Sequence, residues 1–211
     1  MSAIAAVLIG VSLLYISTTA RLESYIKMLM LQGILLFMVA AGNAHDISFT
    51  SIIIIGVETI LFKSIMIPLF LLKTIRKNQI KSDVESYFSG FTSLFIVTAI
   101  LTLGFLTAYL SASSNAVLEP LYFGISISAM LTGFFIIATR KKLITHIMGY
   151  MILENGIFLL SLSAAKEMPF IVNLGVSMDI FIGVFLAGIF INRIKTNFDQ
   201  HDIDDISRLK D

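Results

Sequence analysis

The stretch GYMILENG, residues 149–156, decides the class of fold, because it lies within an apolar run from about Leu143 to Ala164. A run of about 20 apolar residues is long enough to cross a bilayer as a helix. Glu154 and Asn155 nevertheless stand side by side near its centre. An ionised carboxylate at the centre of a bilayer costs about 2.5–3.5 kcal/mol on insertion scales. Glu154 is therefore the first candidate for a functional residue.

The composition is that of a membrane protein, with 57% hydrophobic and only 14% charged residues, against about 25% charged in soluble domains. The chain has no cysteine and so supplies no thiolates to an iron–sulfur cluster. Its histidines, His45, His146 and His201, form no pair at metal-ligand spacing. We therefore expect no cofactor and no metal in this chain. The basic residues lie in short loops, which argues against nucleic-acid binding.

The apolar runs predict an all-α, polytopic membrane bundle of about seven transmembrane helices. The first run has no basic residue before Ile4, which favours a retained helix over a signal peptide. The predicted spans are Ser2–Ala20, Ser24–Gly42, Phe49–Leu72, Phe88–Leu110, Leu118–Thr139, Leu143–Ala164 and Pro169–Asn192.

The basic residues predict the orientation, because alternate loops carry nearly all of them. Of the 15 lysines and arginines, 13 fall on one side of the seven predicted spans, Lys166 falls on the other side and Lys63 lies inside a span. By the positive-inside rule the N-terminus is outside and the C-terminus is cytoplasmic. We expect a multi-pass protein of the cytoplasmic (inner) membrane.

Helices one to three and five to seven resemble two copies of one unit. The pair Gln32-Gly33 in the second helix matches Asn155-Gly156 in the sixth. Both triplets would run in the same direction, which predicts a parallel repeat, although chance similarity among Leu/Ile-rich helices remains an alternative. The predicted units are an N-terminal three-helix unit, 1–80, a connecting helix, 81–115, a C-terminal three-helix unit, 116–197, and a charged cytoplasmic tail, 198–211.

Four ionisable residues fall near the middle of predicted spans: Glu58, Lys63, Glu154 and Asp179. Each should face the bundle interior and find a partner. In an α-helix Glu58 and Lys63 would lie roughly 140° apart, so we expect them to reach other helices rather than each other. Three acids with one lysine are suited to taking up and releasing protons or binding ions. The alternative is a structural ion pair that fixes helix packing.

Further polar residues on the sixth predicted helix extend this set of candidates. Asn155 could hydrogen-bond across helices or hold a water. Tyr150 lies one turn before Glu154 and His146 one turn before Tyr150, so the three form a ladder leading from the cytoplasmic loop. Such a ladder could admit protons, although interfacial His and Tyr are common without that role. Pro68 predicts a hinge or a static kink in the third helix.

The stretch at 149–156, followed by Gly175-Val176-x-x-Asp179 and the basic exit at Arg193, resembles component E of hydrogenase-4. Members of that family are membrane subunits of group 4 nickel–iron hydrogenases and formate hydrogenlyases. Lys63 and Pro68 also fit its pattern. The C-terminal half is similar to the K-type subunit of respiratory complex I and to the C-type subunit of Mrp antiporters. In those relatives, acids on the middle and last helices of this unit lie on the proton path.

The resemblance implies a non-catalytic subunit that helps couple electron transfer in partner subunits to proton or sodium translocation. Glu154 and Asp179 would take the two acid positions of the path. The nickel–iron site and iron–sulfur clusters would belong to a peripheral hydrogenase module, and antiporter-like and complex I-like membrane subunits would be further partners. The alternatives are a non-conducting scaffold of the same complex, a subunit of an Mrp-type antiporter, and a stand-alone transporter.

Overall fold

The computed structural model describes residues 1–42, 53, 55–77, 83–112 and 119–164. Within these ranges every element is a helix, apart from two isolated bridges between loop residues. The prediction of an all-α chain is therefore confirmed for this part. The predicted span Pro169–Asn192 and the tail, 198–211, lie outside the described residues. The helices are α1 Ser2–Thr18, α2 Leu22–Gly42, α3 Val57–Met66, α4 Ile67–Lys77, α5 Gly90–Ala112, α6 Pro120–Thr139 and α7 Leu143–Ala164.

Four of the described helices, α2, α5, α6 and α7, are long and apolar enough to cross a membrane. Helix α1 is also apolar but has 17 residues. Helix α5 leaves large side chains on its outer face, with Phe91 81% and Tyr109 77% exposed. An outer surface of this kind is stable when lipid rather than water covers it. The chain is a helical membrane protein.

The interior of the described bundle has two apolar layers. The loop-side layer is the one nearer the end of the bundle where the α1–α2 and α6–α7 connections lie. It comprises Leu13, Ile16, Leu22, Tyr25, Ile26, Leu29, Leu71, Ile75, Val97, Ala129, Ile136, Ile144, Met148, Met151 and Ile152. The far layer comprises Ala5, Ala6, Ile9, Leu35, Leu36, Val39, Ala40, Ile55, Tyr122, Ile125, Phe158, Leu159 and Leu162.

A polar layer lies between the two apolar layers, and the order of residues along the helices shows it. Along α1 the far-layer Ile9 is followed by Ser12 and then by the loop-side Leu13. Helices α2 and α7 run from the loop-side layer to the far layer. Between these two layers α2 carries the buried Gln32 and α7 carries the buried Asn155. Ser12, Gln32 and Asn155 are thus buried polar groups at the middle depth of the bundle, the depth that the sequence predicted for Glu154.

Three connections meet at one end of the bundle. The segment 83–87 runs between the α1–α2 and α6–α7 connections, because Val84 N–H donates to Ala20 O at 2.7 Å and Lys141 N–H to Glu85 O at 3.1 Å. This end carries Arg140, which is buried and donates from Nη2 to Ser17 O at 2.8 Å. A cation at the C-terminal end of α1 is favourable for the helix dipole. Burial lowers the pKa of the Arg140 guanidinium, but an arginine stays charged in proteins.

Helix α6 packs closely on α7 because small residues lie at their contact. A Cβ atom on Gly133 of α6 would lie 2.7 Å from Gly149 O and 2.7 Å from Leu153 Cβ. A Cβ atom on Gly156 of α7 would lie 2.9 Å from Ser126 O. Small residues let membrane helices approach at backbone distance, where van der Waals packing drives their association. The two glycines of the GYMILENG stretch are therefore packing positions on either side of Glu154.

Helix α3 is a π-helix, in which hydrogen bonds join residues five apart. At its end Ile67 N–H donates to Phe62 O, and α4 continues from Ile67 as an ordinary α-helix. Pro68 gives a reason for the wider winding here, because in an α-helix its ring would clash with the carbonyl of Ser64. The hinge or kink that the sequence predicted at Pro68 is therefore a change of helix type in the structure.

Candidate functional site

Lys63 lies between two carboxylates in the polar layer. Its Nζ is 3.6 Å from Glu154 Oε1 and 3.9 Å from Glu58 Oε1. The exposed fraction is 3% for Lys63, 8% for Glu58 and 6% for Glu154. The Lys63 ammonium also lies 5.0 Å from the centre of the Phe158 ring, a cation–π distance. We refer to Glu58, Lys63 and Glu154 as the charged cluster.

The expectation that Glu58 and Lys63 are poor partners was wrong. It assumed α-helical winding, which would place residues five apart on different faces. The residues lie instead in the π-helical segment, where hydrogen bonds join residues i and i+5. Residues five apart then lie nearly above one another, as residues i and i+4 do in an α-helix. The helix type of α3 therefore brings Glu58 and Lys63 into one cluster.

Helix α2 packs directly against the backbone of the π-helical segment. A Cβ atom on Gly33 would lie 2.9 Å from Thr59 O and 3.0 Å from Ser64 N. Ser64 Oγ donates to Met30 O at 2.8 Å, which ties α3 to α2 at the same level. Gly33 is needed here for close approach rather than for an unusual backbone conformation. These contacts hold the helix that carries Glu58 and Lys63.

Asn155 belongs to a separate, neutral set of hydrogen bonds. Its Nδ2 donates to Gln32 Oε1 at 3.1 Å. Gln32 Nε2 in turn donates to Ser12 Oγ at 2.7 Å, and Ser12 Oγ donates to Ile9 O at 2.6 Å. All three side chains are buried. We refer to Asn155, Gln32 and Ser12 as the neutral chain, which joins α7, α2 and α1.

Adjacent positions on α7 thus lead to two different networks. Successive residues of an α-helix are about 100° apart around the axis. Glu154 consequently faces α3 and Lys63, whereas Asn155 faces α2 and Gln32. The expectation that Asn155 hydrogen-bonds across helices is confirmed, and its partner is the residue that the proposed repeat aligns with it.

His146 and Tyr150 lie on the same continuous helix as Glu154, at spacings of four residues. The His146 ring nitrogen Nε2 lies 2.6 Å from Arg140 O, at the connection between α6 and α7. His146 is thus tied to the loop end of the helix, and Tyr150 is partly buried one turn further on. The proton-access ladder that these residues could form stays a prediction. Asp179 lies outside the described residues.

Three residues of the site were not among the candidates from the sequence: Gln32, Ser12 and Phe158. Gln32 carried a signal, since a carboxamide in an apolar span needs a partner. Phe158 lies one turn after Glu154, but a phenylalanine in a membrane helix gives no indication of contact with a cation. Ser12 is equally unremarkable in sequence, because serine often packs between membrane helices.

The charged cluster is suited to proton or cation handling. Two carboxylates and one ammonium lie close together away from solvent, so a change in proton number at one group changes the electrostatic energy of the others. In the part of the chain that the structure describes, no group of three or more His, Cys, Asp or Glu residues could hold a metal ion. The fold and site together define a helical membrane protein with a buried carboxylate–lysine cluster at middle depth.

A curated protein of Mycobacterium tuberculosis (strain ATCC 25618 / H37Rv), described as "Uncharacterized protein Rv0085", is similar to this chain. The two are 24% identical over 197 residues, which cover 90% of this chain and 87% of that protein. The similarity therefore extends over most of both chains, and it carries no activity. No protein-family model matches the chain. No solved structure matches it.

Proposed function

We propose that this chain is an integral, non-catalytic subunit of a membrane-bound hydrogenase-type complex. In this role it helps couple electron transfer in partner subunits to proton or sodium translocation. The resemblance of residues 149–156, Gly175, Asp179 and Lys63 to component E of hydrogenase-4 supports the type of complex. Nickel–iron and iron–sulfur centres then belong to the partners, and this chain contributes the membrane path.

The observation that carries the proposal is the position of Lys63 between Glu58 and Glu154. Ionisable residues inside a membrane bundle are costly and mark ion or proton pathways. Glu154 would be the middle group of the path that binds and releases the proton or ion, and Asp179 would be the next acid. Glu58 and Lys63 would be the electrostatic partners of Glu154. Tyr150 and His146 would connect it to the cytoplasmic end, and Asn155 would border it.

The proposed topology has seven spans, an outside N-terminus, a cytoplasmic C-terminus and a parallel repeat of two three-helix units. Its support is the charge asymmetry of the loops together with the meeting of three connections at one end of the bundle. That end carries Arg21, Lys141 and Lys142, which the positive-inside rule assigns to the cytoplasm. Cysteine accessibility labelling tests this, because a cysteine introduced at Lys141 should react only with reagents that reach the cytoplasm.

The decisive variant is Glu154→Gln, which keeps the shape of the side chain and removes its charge. We expect normal assembly on a native gel and a loss of most ion pumping during hydrogen turnover by inverted membrane vesicles. The matched control is Glu23→Gln, the same change at an exposed acid at the loop end. Repeating the assay with and without sodium, and with a protonophore, distinguishes H⁺ from Na⁺. Undiminished pumping by a fully assembled Glu154→Gln complex would exclude the relay role.

Copurification tests the proposed partners separately from the relay. A tagged full-length chain, solubilised in mild detergent, should retain antiporter-like membrane subunits and a hydrogenase module that contains nickel and iron. A chain that runs alone would contradict the complex and favour a stand-alone transporter. Retention of antiporter subunits without a redox module, with Na⁺/H⁺ exchange in the absence of hydrogen, would favour the Mrp-type alternative.

A non-conducting scaffold is the second candidate, and the neutral chain is the observation that favours it. Its hydrogen bonds join α1, α2 and α7 without any group that changes charge. In a scaffold the charged cluster would likewise serve packing alone. Glu154→Gln would then impair assembly on the native gel, whereas a relay variant assembles and fails to pump.

A further inference from the structure

A shallow groove of about 500 Å³ lies beside α4, outside the charged cluster. Among the described residues, its lining includes Leu69, Leu72, Lys73 and Arg76. These residues follow the spacing i, i+3, i+4 and i+7, which places them along one face of the helix. The opposite face of α4 carries Leu71 and Ile75, which are buried in the loop-side layer. The groove therefore belongs to the outer surface of the bundle that the described helices form.

The groove changes from apolar to cationic along its length. Leu69 and Leu72 lie nearer the middle of the bundle, and Leu69 is exposed. Lys73 and Arg76 lie one to two turns further on, towards the end of the bundle where the connections meet. In a membrane this is the level at which the hydrocarbon region gives way to phospholipid headgroups.

Arg76 forms an exposed ion pair with Glu23, and that pair leaves the guanidinium available to a further ligand. Its Nη2 lies 3.6 Å from Glu23 Oε1, and the two side chains are 72% and 46% exposed. Exposed ion pairs of this kind contribute little and exchange readily with solvent ions. A phosphate oxygen is a better partner for a guanidinium, because it accepts charge-assisted hydrogen bonds in a forked geometry.

We propose that this groove binds an anionic phospholipid. The lipid phosphate lies between Lys73 and Arg76, and an acyl chain lies along Leu69 and Leu72. Charge complementarity selects an anionic over a zwitterionic lipid, because Lys73 and Arg76, the titratable side chains that line the groove among the described residues, are both cations. The proposal does not depend on the function proposed for the charged cluster. The competing explanation is that Lys73 and Arg76 only interact favourably with the helix dipole at the C-terminal end of α4 and extend towards water.

Native mass spectrometry of the full-length protein, released from nanodiscs of equal parts phosphatidylglycerol and phosphatidylcholine, tests the proposal. We expect wild-type protein to retain phosphatidylglycerol several-fold more than phosphatidylcholine. The double variant Lys73→Gln/Arg76→Gln should lose most of this preference. The matched control is Arg21→Gln/Lys27→Gln, which removes two exposed cations at the same end of the bundle and should keep it.

Two further measurements make the test complete. Leu69→Ser should weaken retention of the whole lipid while the headgroup preference remains, because only the acyl-chain contact is reduced. Added inorganic phosphate should not displace the lipid. Equal retention of both lipids by wild type, equal losses in the double variant and its control, or displacement by inorganic phosphate would each overturn the proposal. Circular dichroism establishes that every variant is folded.

Discussion

Glu154 and Asn155 are neighbours in sequence, yet their surroundings in the polar layer differ in kind. The charged cluster has ion-pair distances of 3.6 and 3.9 Å, longer than hydrogen bonds. The neutral chain has hydrogen bonds of 2.6 to 3.1 Å from Asn155 through Gln32 and Ser12 to a backbone carbonyl. The first arrangement can change its proton number, and the second cannot under ordinary conditions. Two adjacent positions on α7 thus belong to a site suited to ion handling and to one suited to holding helices together.

The largest expected effect comes from removing the cation that the two carboxylates share. Lys63→Met leaves Glu58 and Glu154 buried without that charge and should cost about 3–5 kcal/mol. The measurement is thermal and denaturant unfolding of the purified chain in detergent. Adding Glu154→Gln to Lys63→Met should recover part of the loss, since one of the two buried negative charges is then removed.

The control for this prediction is Lys27→Met, which removes an exposed lysine from α2. We expect it to change the stability by no more than about 0.5 kcal/mol, as for most surface substitutions. Equal effects of Lys63→Met and Lys27→Met would mean that the ion pairs of the cluster contribute nothing to the folded state. The charged cluster and the neutral chain would then differ only in the distances between their polar atoms.

An intermediate effect is expected in the centre of the neutral chain. Gln32→Leu removes the acceptor of Asn155 Nδ2 and the donor to Ser12 Oγ, so buried polar atoms lose their partners. The expected cost is about 1–2 kcal/mol, because hydrogen bonds between membrane helices are individually weak. Ion pumping per assembled complex should stay unchanged, measured in the same vesicles as Glu154→Gln. Loss of pumping with assembly intact would place the neutral chain on the ion path. The neutral chain and the charged cluster would then no longer differ in their roles.

The sequence predicted the helices well where a single apolar run forms a single helix. The run Leu143–Ala164 coincides with α7, and the predicted second span, Ser24–Gly42, ends with α2. The third span was less accurate: its predicted end at Leu72 falls inside α4, which continues to Lys77. The length of the apolar run does not include the last turn of α4, because that turn carries Lys73 and Arg76, the cations that line the groove beside α4.

The candidate site was predictable in its residues but not in its contacts. A charge in an apolar span needs a partner, which identified Glu58, Lys63 and Glu154. Which of them meet depends on the winding of α3, and apolar periodicity does not distinguish a π-helix from an α-helix. The contact of Asn155 with Gln32 likewise depends on how closely α2 and α7 approach. That approach is a property of tertiary packing rather than of either helix alone.

The smallest expected effect is at the end of the neutral chain, where Ser12→Ala removes one hydroxyl. Ser12 accepts from Gln32 and donates to Ile9 O, which already belongs to the hydrogen-bonded backbone of α1. Only Gln32 Nε2 loses a partner, so the cost should be about 0.6 kcal/mol, the average for such bonds between membrane helices. In the double variant Ser12→Ala/Gln32→Leu this cost should disappear, because the glutamine donor is gone as well. A cost that persists there would show that Ser12 acts through packing against its neighbours, and the neutral chain would then end at Gln32.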